Sequence, residues 1–259
     1  MKVLEGRPVS LEIDAKTTEE RTKLEDTPVL HIIRVGENPD DIAYENAIVR
    51  KAKLLDVEVV KRNVLETGDV LKKVEHAIDC EWCHREGMML MCPKNVRDEF
   101  DVPKRHDVEG LNPASDYYAV TPEAVIRILD HYEIPLEGKN VVIVNRSEVV
   151  GRPLADMFLD KGATVTVCHS KTKGLKRHTS LADIVVTAIG KAGFFDTPEY
   201  FNPNATVVDV GMSKGEDGEL WGDVDLSKVT VENYVSWSAV GKVATSILLE
   251  NVVDLRKEN

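Results

Sequence analysis

"NVVIVNRSEVVGRPLADMF", residues 140–158, decides how the second half of this chain is read. An apolar strand runs into a tight loop, and the loop runs into a helix. That layout is where a dinucleotide rests its pyrophosphate. The glycines of such a loop serve separate purposes, one allowing a tight turn, one a close backbone approach, and one helix–strand packing. Here only Gly151 is present, and it suits the packing role. Asn145 tolerates positive φ better than most residues and is expected to replace the turn glycine. Ser147 offers a hydroxyl, and Arg146 offers a fixed cation to a phosphate. Taken alone, the segment fits a plain strand–helix connection equally well.

The next strand ends in "TVCHSKTKG" (166–174). In a dinucleotide fold this strand end faces the adenosine ribose. An acid there binds the free 2′-hydroxyl of NAD, whereas basic and hydroxyl groups accommodate the 2′-phosphate of NADP. His169, Ser170, Lys171 and Lys173 occupy the turn without an acid, which favours NADP, with NAD as the alternative cofactor. The competing reading is a solvated basic turn.

The same alternation of strands and helices extends over the chain. "PVLHIIRVG" (28–36), "VEVVKRNVL" (57–65) and "GMMLMCP" (87–93) read as strands. "PDDIAYENAIVRKAKLLD" (39–56) and "GDVLKKVEHAIDCEW" (68–82) read as helices. Thr121 is expected to cap a helix over 121–132 with Pro122 at its first position. Helix 151–160, a strand over 163–170, a short helix "SLADI" (180–184), strands over 185–190 and 205–211, and a closing amphipathic helix over 241–255 follow. Such alternation predicts an α/β fold with parallel sheets covered by helices. The joint is placed at Thr121–Pro122.

With 259 residues the chain accommodates one or two domains, and its 42% apolar and 30% charged content is that of a globular protein. A formal net charge of −12 argues against a nucleic-acid partner, since phosphate backbones want a basic footprint. The longest apolar runs are strand-sized and the N-terminus lacks a signal-peptide core, so neither a membrane partner nor export is expected. The expected location is the cytoplasm. "CEWCH" (80–84) matches a redox or haem-attachment spacing, but it lies on a helical pattern without a second ligand pair, and no metal or redox role is assigned to it.

Read in order, these segments resemble the methylenetetrahydrofolate dehydrogenase/cyclohydrolase family. "LEGRPVS" (4–10) resembles its opening motif, "HDVEGLNP" (106–113) its Lys-Asp-Val-Asp-Gly-Leu segment, and "NRSEVVGRP" (145–153) its Gly-Arg-Ser-x-x-Val-Gly-x-Pro loop. "ADIVVTAIGK", "VVDVG", "GDVD" and "VGKVATSILLEN" fall in order after them. The resemblance implies two α/β domains with a cleft between them, the second Rossmann-like, and a C-terminal helix packed back on the first. It implies a folate-binding catalytic domain over 1–121 plus 241–259, an NAD(P)-binding domain over 122–240, and a homodimer. The implied chemistry is hydride transfer from the methylene bridge of 5,10-methylenetetrahydrofolate to NAD(P)+, followed in many members by hydrolysis of the methenyl product. To Asn145, Arg146, Ser147, Gly151, His169 and Ser170 it adds Val150, Gly190, Asp209, Gly211 and Gly241 as cofactor-binding residues.

In the first domain the resemblance implies that Tyr44 is catalytic and orients the folate, and that Glu109 anchors the pterin. Asp41, which stands where the family has a serine, and Lys51 are expected to bind substrate with them. The departures are Ile48, at the family's lysine position four residues after Tyr44, and Met91, at its glutamine position. Neither side chain moves protons, so hydrolysis of the methenyl product is expected to be weak or absent. Lys51, one turn beyond Ile48, is a candidate to reach back in compensation. Two alternatives stay open: a dehydrogenase of another one-carbon carrier such as methylene-tetrahydromethanopterin, and a non-catalytic nucleotide- or folate-binding subunit.

Overall fold

The computed structural model describes residues 1–65, 68–79, 86–100, 102–215 and 218–257. The "CEWCH" motif lies outside the described residues. In chain order the elements are β1 (Lys2–Val3), α1 (Gly6–Arg21), β2 (Val29–Val35), α2 (Pro39–Leu54), β3 (Glu58–Val64), α3 (Val70–Ile78), β4 (Gly87–Met91), α4 (Lys94–Arg97) and α5 (Val120–His131). They continue with β5 (Asn140–Val144), α6 (Gly151–Asp160), β6 (Thr164–Cys168), α7 (Leu175–Thr179), β7 (Ile184–Thr187), β8 (Thr206–Asp209), β9 (Ser213–Lys214), β10 (Leu220–Trp221), β11 (Asn233–Val235) and α8 (Trp237–Lys257).

The chain divides into two compact units, Leu11–Val120 with Thr245–Asn259, and Met1–Ser10 with Thr121–Ala244. The first unit is built on a parallel sheet of order β3-β2-β4. Its central strand, "VLHIIRV", is buried from Leu30 onward, as a strand covered on both faces must be. Ile33, Val35, Met88 and Leu90 pack with Val74, Ala77 and Ile78 of α3. Helix α2 starts where Asn38 accepts a hydrogen bond from the Asp40 amide at 2.9 Å, with Pro39 next, and it buries Ile48 and Ala52.

The second unit carries a six-stranded sheet of order β1-β11-β8-β7-β5-β6, parallel at every pairing. The order in which the chain adds strands reverses at β5, with β6 on one side and β7 on the other. In open α/β sheets the ligand crevice lies outside the carboxyl ends of the strands at such a reversal. Val142, Val185, Phe195, Val207 and Tyr234 belong to its core.

Three expectations change. Residues Met1–Ser10 fall in the six-stranded unit, because Lys2 and Val3 pair beside Asn233 and Tyr234 of β11. The short helix expected at 180–184 lies earlier, at Leu175–Thr179, and Ile184 already opens β7. Helix α5 begins at Val120, so Thr121 is inside the helix, and α8 begins at Trp237 rather than at Gly241.

Candidate active site

At the end of β5 the chain must turn sharply into α6, and one side chain organises the turn. Asn145 Oδ1 accepts from the amides of Ser147 at 2.7 Å and Gly151 at 3.1 Å, while its Nδ2 donates to the Ala188 carbonyl at 2.7 Å. Asn145 does not take positive φ: among the described non-glycine residues only Asp56 and Glu133 do. The expected turn role is therefore corrected, because the asparagine works through its side-chain amide. The Ser147 hydroxyl accepts from the Val150 amide at 3.1 Å, which closes the loop from within. At Gly151 a Cβ would stand 2.3 Å from the Asn145 carbonyl oxygen, so the helix start packs directly on the strand end. Arg146 is exposed and its guanidinium has no partner among the described residues. A cradle that admits only glycine, at the start of a helix and beside a free cation, suits a pyrophosphate.

The neighbouring loops are shaped by two buried aspartates. Asp223 accepts from the Thr187 hydroxyl at 2.7 Å, the Ile189 amide at 2.7 Å and the Lys191 amide at 2.8 Å, and so sets the loop after β7 in which Gly190 takes φ +74. Gly211 packs against that carboxylate, where a Cβ would stand 2.1 Å from Asp223 Oδ2. Asp209, expected as a cofactor ligand, is fully buried and accepts from the Asp223 and Val224 amides, both at 3.0 Å, and from the Tyr234 hydroxyl at 3.1 Å. Burial pushes its carboxyl up to about 7. Its acceptors are spent inside the fold, which corrects its role to holding the Asp223 segment. Gly241, in the second turn of α8, leaves open space where a side chain would be.

After β6, the His169 amide donates to Thr172 Oγ1 at 2.9 Å and the Lys171 amide donates to His169 Nδ1 at 3.2 Å. With Nδ1 as acceptor, the ring proton is assigned to Nε2. The turn leaves Ser170, Lys171 and Lys173 exposed, and no carboxylate lies in its sequence.

In the three-stranded unit the expected folate residues come together with one that sequence reasoning missed. Glu109 is 9% exposed, and its Oε2 accepts from the Leu90 amide at 3.2 Å. Its place is set on both sides. Asp107 accepts from the Glu109 amide at 3.2 Å, and Gly110, at φ +68, sits where a Cβ would meet the Tyr118 carbonyl oxygen at 2.1 Å. Burial pushes the Glu109 carboxyl up to about 7, against the pull of Arg97 and the Leu90 amide. Tyr44 is half-buried; burial, and then the charge of Glu109, push its hydroxyl up to about 12, while a hydrogen bond with Thr245 works the other way. It is therefore a neutral phenol at pH 7. Asp41 is raised by burial and by Asp40, and is pulled down by Arg34 and Arg97. Arg97 was not anticipated, because no motif marks it.

Ile48 is fully buried and Met91 is 6% exposed, so both departures from the family pattern are apolar side chains set into the unit. The Lys51 ammonium is engaged by Asp14 Oδ2 at 2.9 Å and by Ser246 Oγ at 2.5 Å.

Known proteins match this arrangement over the whole chain. Residues 119–259 match the family model for the tetrahydrofolate dehydrogenase/cyclohydrolase NAD(P)-binding domain. The bifunctional protein FolD of Clostridium botulinum (strain 657 / Type Ba4) is 38% identical, over 100% of this chain and 99% of the relative. The crystal structure of the bifunctional FolD enzyme of Campylobacter jejuni is 29% identical with a TM-score of 0.88, covering 100% of this chain and 99% of that one. The Trypanosoma brucei enzyme, solved with NADP cofactor and inhibitor, is 25% identical with a TM-score of 0.86, covering 99% and 97%. Among the described residues no helix is long and apolar enough to cross a membrane. The chain belongs to the tetrahydrofolate dehydrogenase/cyclohydrolase family.

Proposed function

We propose that this protein oxidises 5,10-methylenetetrahydrofolate to the methenyl form with NADP+, and hydrolyses the methenyl product weakly or not at all. NADP+ supplies the two-electron acceptor. The protein itself then has to place two rings and exclude water. Gly151 and the Asn145-organised loop hold the pyrophosphate, and Arg146 meets its charge. His169, Ser170, Lys171 and Lys173 meet the ribose phosphate, a reading supported by the absence of an acid in that turn. Glu109 accepts from the donor edge of the pterin, and the Tyr44 phenol orients the ring beside it.

The observation that carries the single-reaction reading is the burial of Ile48. Hydrolysis requires water to be activated and a proton to be moved. An isoleucine and a methionine have no proton to give, and the amine nearest along α2, Lys51, is engaged by Asp14 and Ser246. The relatives' name covers two activities; for this chain Ile48 and Met91 argue for one. The test follows reduced cofactor after mixing methylenetetrahydrofolate with NADP+ or NAD+. Reduction that is faster with NADP+ and lost in Glu109→Gln is the expected result; no reduction with either cofactor rejects the reading. A cytoplasmic homodimer belongs to the same proposal, and sedimentation of the purified protein reads the dimer.

A further inference from the structure

β4 is an edge strand, and an edge leaves backbone groups that need partners. At Leu90 two side chains take them. The Leu90 amide donates to Glu109 Oε2 at 3.2 Å, and the Leu90 carbonyl accepts from Arg97 Nη2 at 3.3 Å. Arg97 thus stands beside Glu109 on one residue of the strand without forming an ion pair among the described residues. Its charge also acts on Asp41 of α2 and on Cys92, to which it is hydrogen bonded. The other groups facing Glu109 are the Asp107 carboxyl on its own segment, the Tyr44 phenol of α2 and the Cys92 thiol just after β4. A guanidinium stays protonated throughout the working pH range, so its charge is fixed. Lys51, the amine that the sequence offers as compensation, is paired with Asp14 and hydrogen bonded to Ser246.

We propose that Arg97 is the positioning residue of this site: held at Leu90, it keeps the Glu109 carboxylate aimed and charged for the pterin. It stabilises charge without transferring a proton, which suits a site that oxidises its substrate and does not hydrolyse the product. The proposal rests on the reading of Glu109 as the pterin anchor.

Two readouts test it in wild type, Arg97→Met and Arg97→Lys. Infrared difference spectra against Glu109→Gln follow the Glu109 carboxyl with pH in the substrate-free protein, and kcat/KM for methylenetetrahydrofolate is followed over the same pH range at saturating NADP+. Removing the cation is expected to move the carboxyl midpoint up by about one pH unit. The acid limb of kcat/KM is expected to move with it, and Arg97→Lys to restore most of both. A midpoint unchanged in Arg97→Met overturns the proposal. So does a loss of kcat/KM by the same factor at every pH with the limb in place. If the wild type reduces no cofactor, the dehydrogenase reading fails on its own, and the infrared arm still decides whether Arg97 governs Glu109.

Discussion

The side-chain amide of Asn145 donates to the backbone carbonyl of Ala188 at 2.7 Å, tying the loop after β5 to the loop after β7. These loops flank the point where the strand order reverses, and that is where a dinucleotide enters such a sheet. Asp223 fixes the Ala188 side through Thr187, Ile189 and Lys191. The candidate cofactor site is thus shaped by polar side chains that bind backbone.

Asn145→Ala removes three hydrogen bonds at once. The expected cost is about 2 kcal/mol of stability, since each bond contributes about 1 kcal/mol and some of the freed groups find water. Cofactor affinity is expected to fall about tenfold. Urea unfolding and cofactor titration read the two effects. Lower stability at unchanged affinity would confine the asparagine to a structural role.

Two glycines should respond in opposite ways. Gly151→Ala forces a Cβ to within 2.3 Å of backbone and should cost about 3 kcal/mol with loss of cofactor binding. Gly241→Ala meets nothing within 4 Å and should stabilise α8 by about 0.5–1 kcal/mol. If that bare surface receives the cofactor, Gly241→Ala also weakens cofactor binding. Thermal unfolding with and without NADP+ separates these outcomes.

Glu109 titrates at about 7 in the folded protein, against an ordinary value of 4.5. The folded state therefore holds a proton that the unfolded chain has released between those values. The associated stability is fully present below about pH 4.5 and is lost as pH rises through about 7. Glu109→Gln removes this dependence. Its stability relative to wild type should improve between pH 5 and pH 8, by on the order of 2–3 kcal/mol. Urea unfolding at the two pH values measures the change, and a constant difference would mean that Glu109 titrates normally.

Ser170→Asp places a carboxylate in the turn that carries Lys171 and Lys173. The KM for NADP+ is expected to rise at least about tenfold, with little change or a fall for NAD+, because the acid repels a 2′-phosphate and accepts from a 2′-hydroxyl. An equal loss for both cofactors would move the ribose site away from this turn.

The loop-to-helix start at Gly151 is legible in the sequence because strand, loop and helix are contiguous and their periodicities differ. The role of Asn145 is not, since residue type suggests a backbone conformation but does not show that Ala188, 43 positions later, supplies the partner. Asp209 is misread for the same reason: its hydrogen bonds come from Asp223, Val224 and Tyr234, which sequence spacing does not bring near. The placement of β1 depends on pairing with β11 at the far end of the chain. In the first unit, Tyr44, Glu109 and Ile48 are legible only through ordered family motifs. Arg97 carries no motif, and it is brought beside Glu109 by hydrogen bonds that both make to Leu90, which sequence spacing does not show.

The most direct test is the hydrolysis of methenyltetrahydrofolate by the purified protein, compared with enzyme-free buffer at the same pH. The buried Ile48 and the engaged Lys51 predict that the two rates match, while the same preparation reduces NADP+ on methylenetetrahydrofolate and accumulates methenyl product. Hydrolysis well above the buffer rate, at turnover comparable to cofactor reduction, would contradict the account.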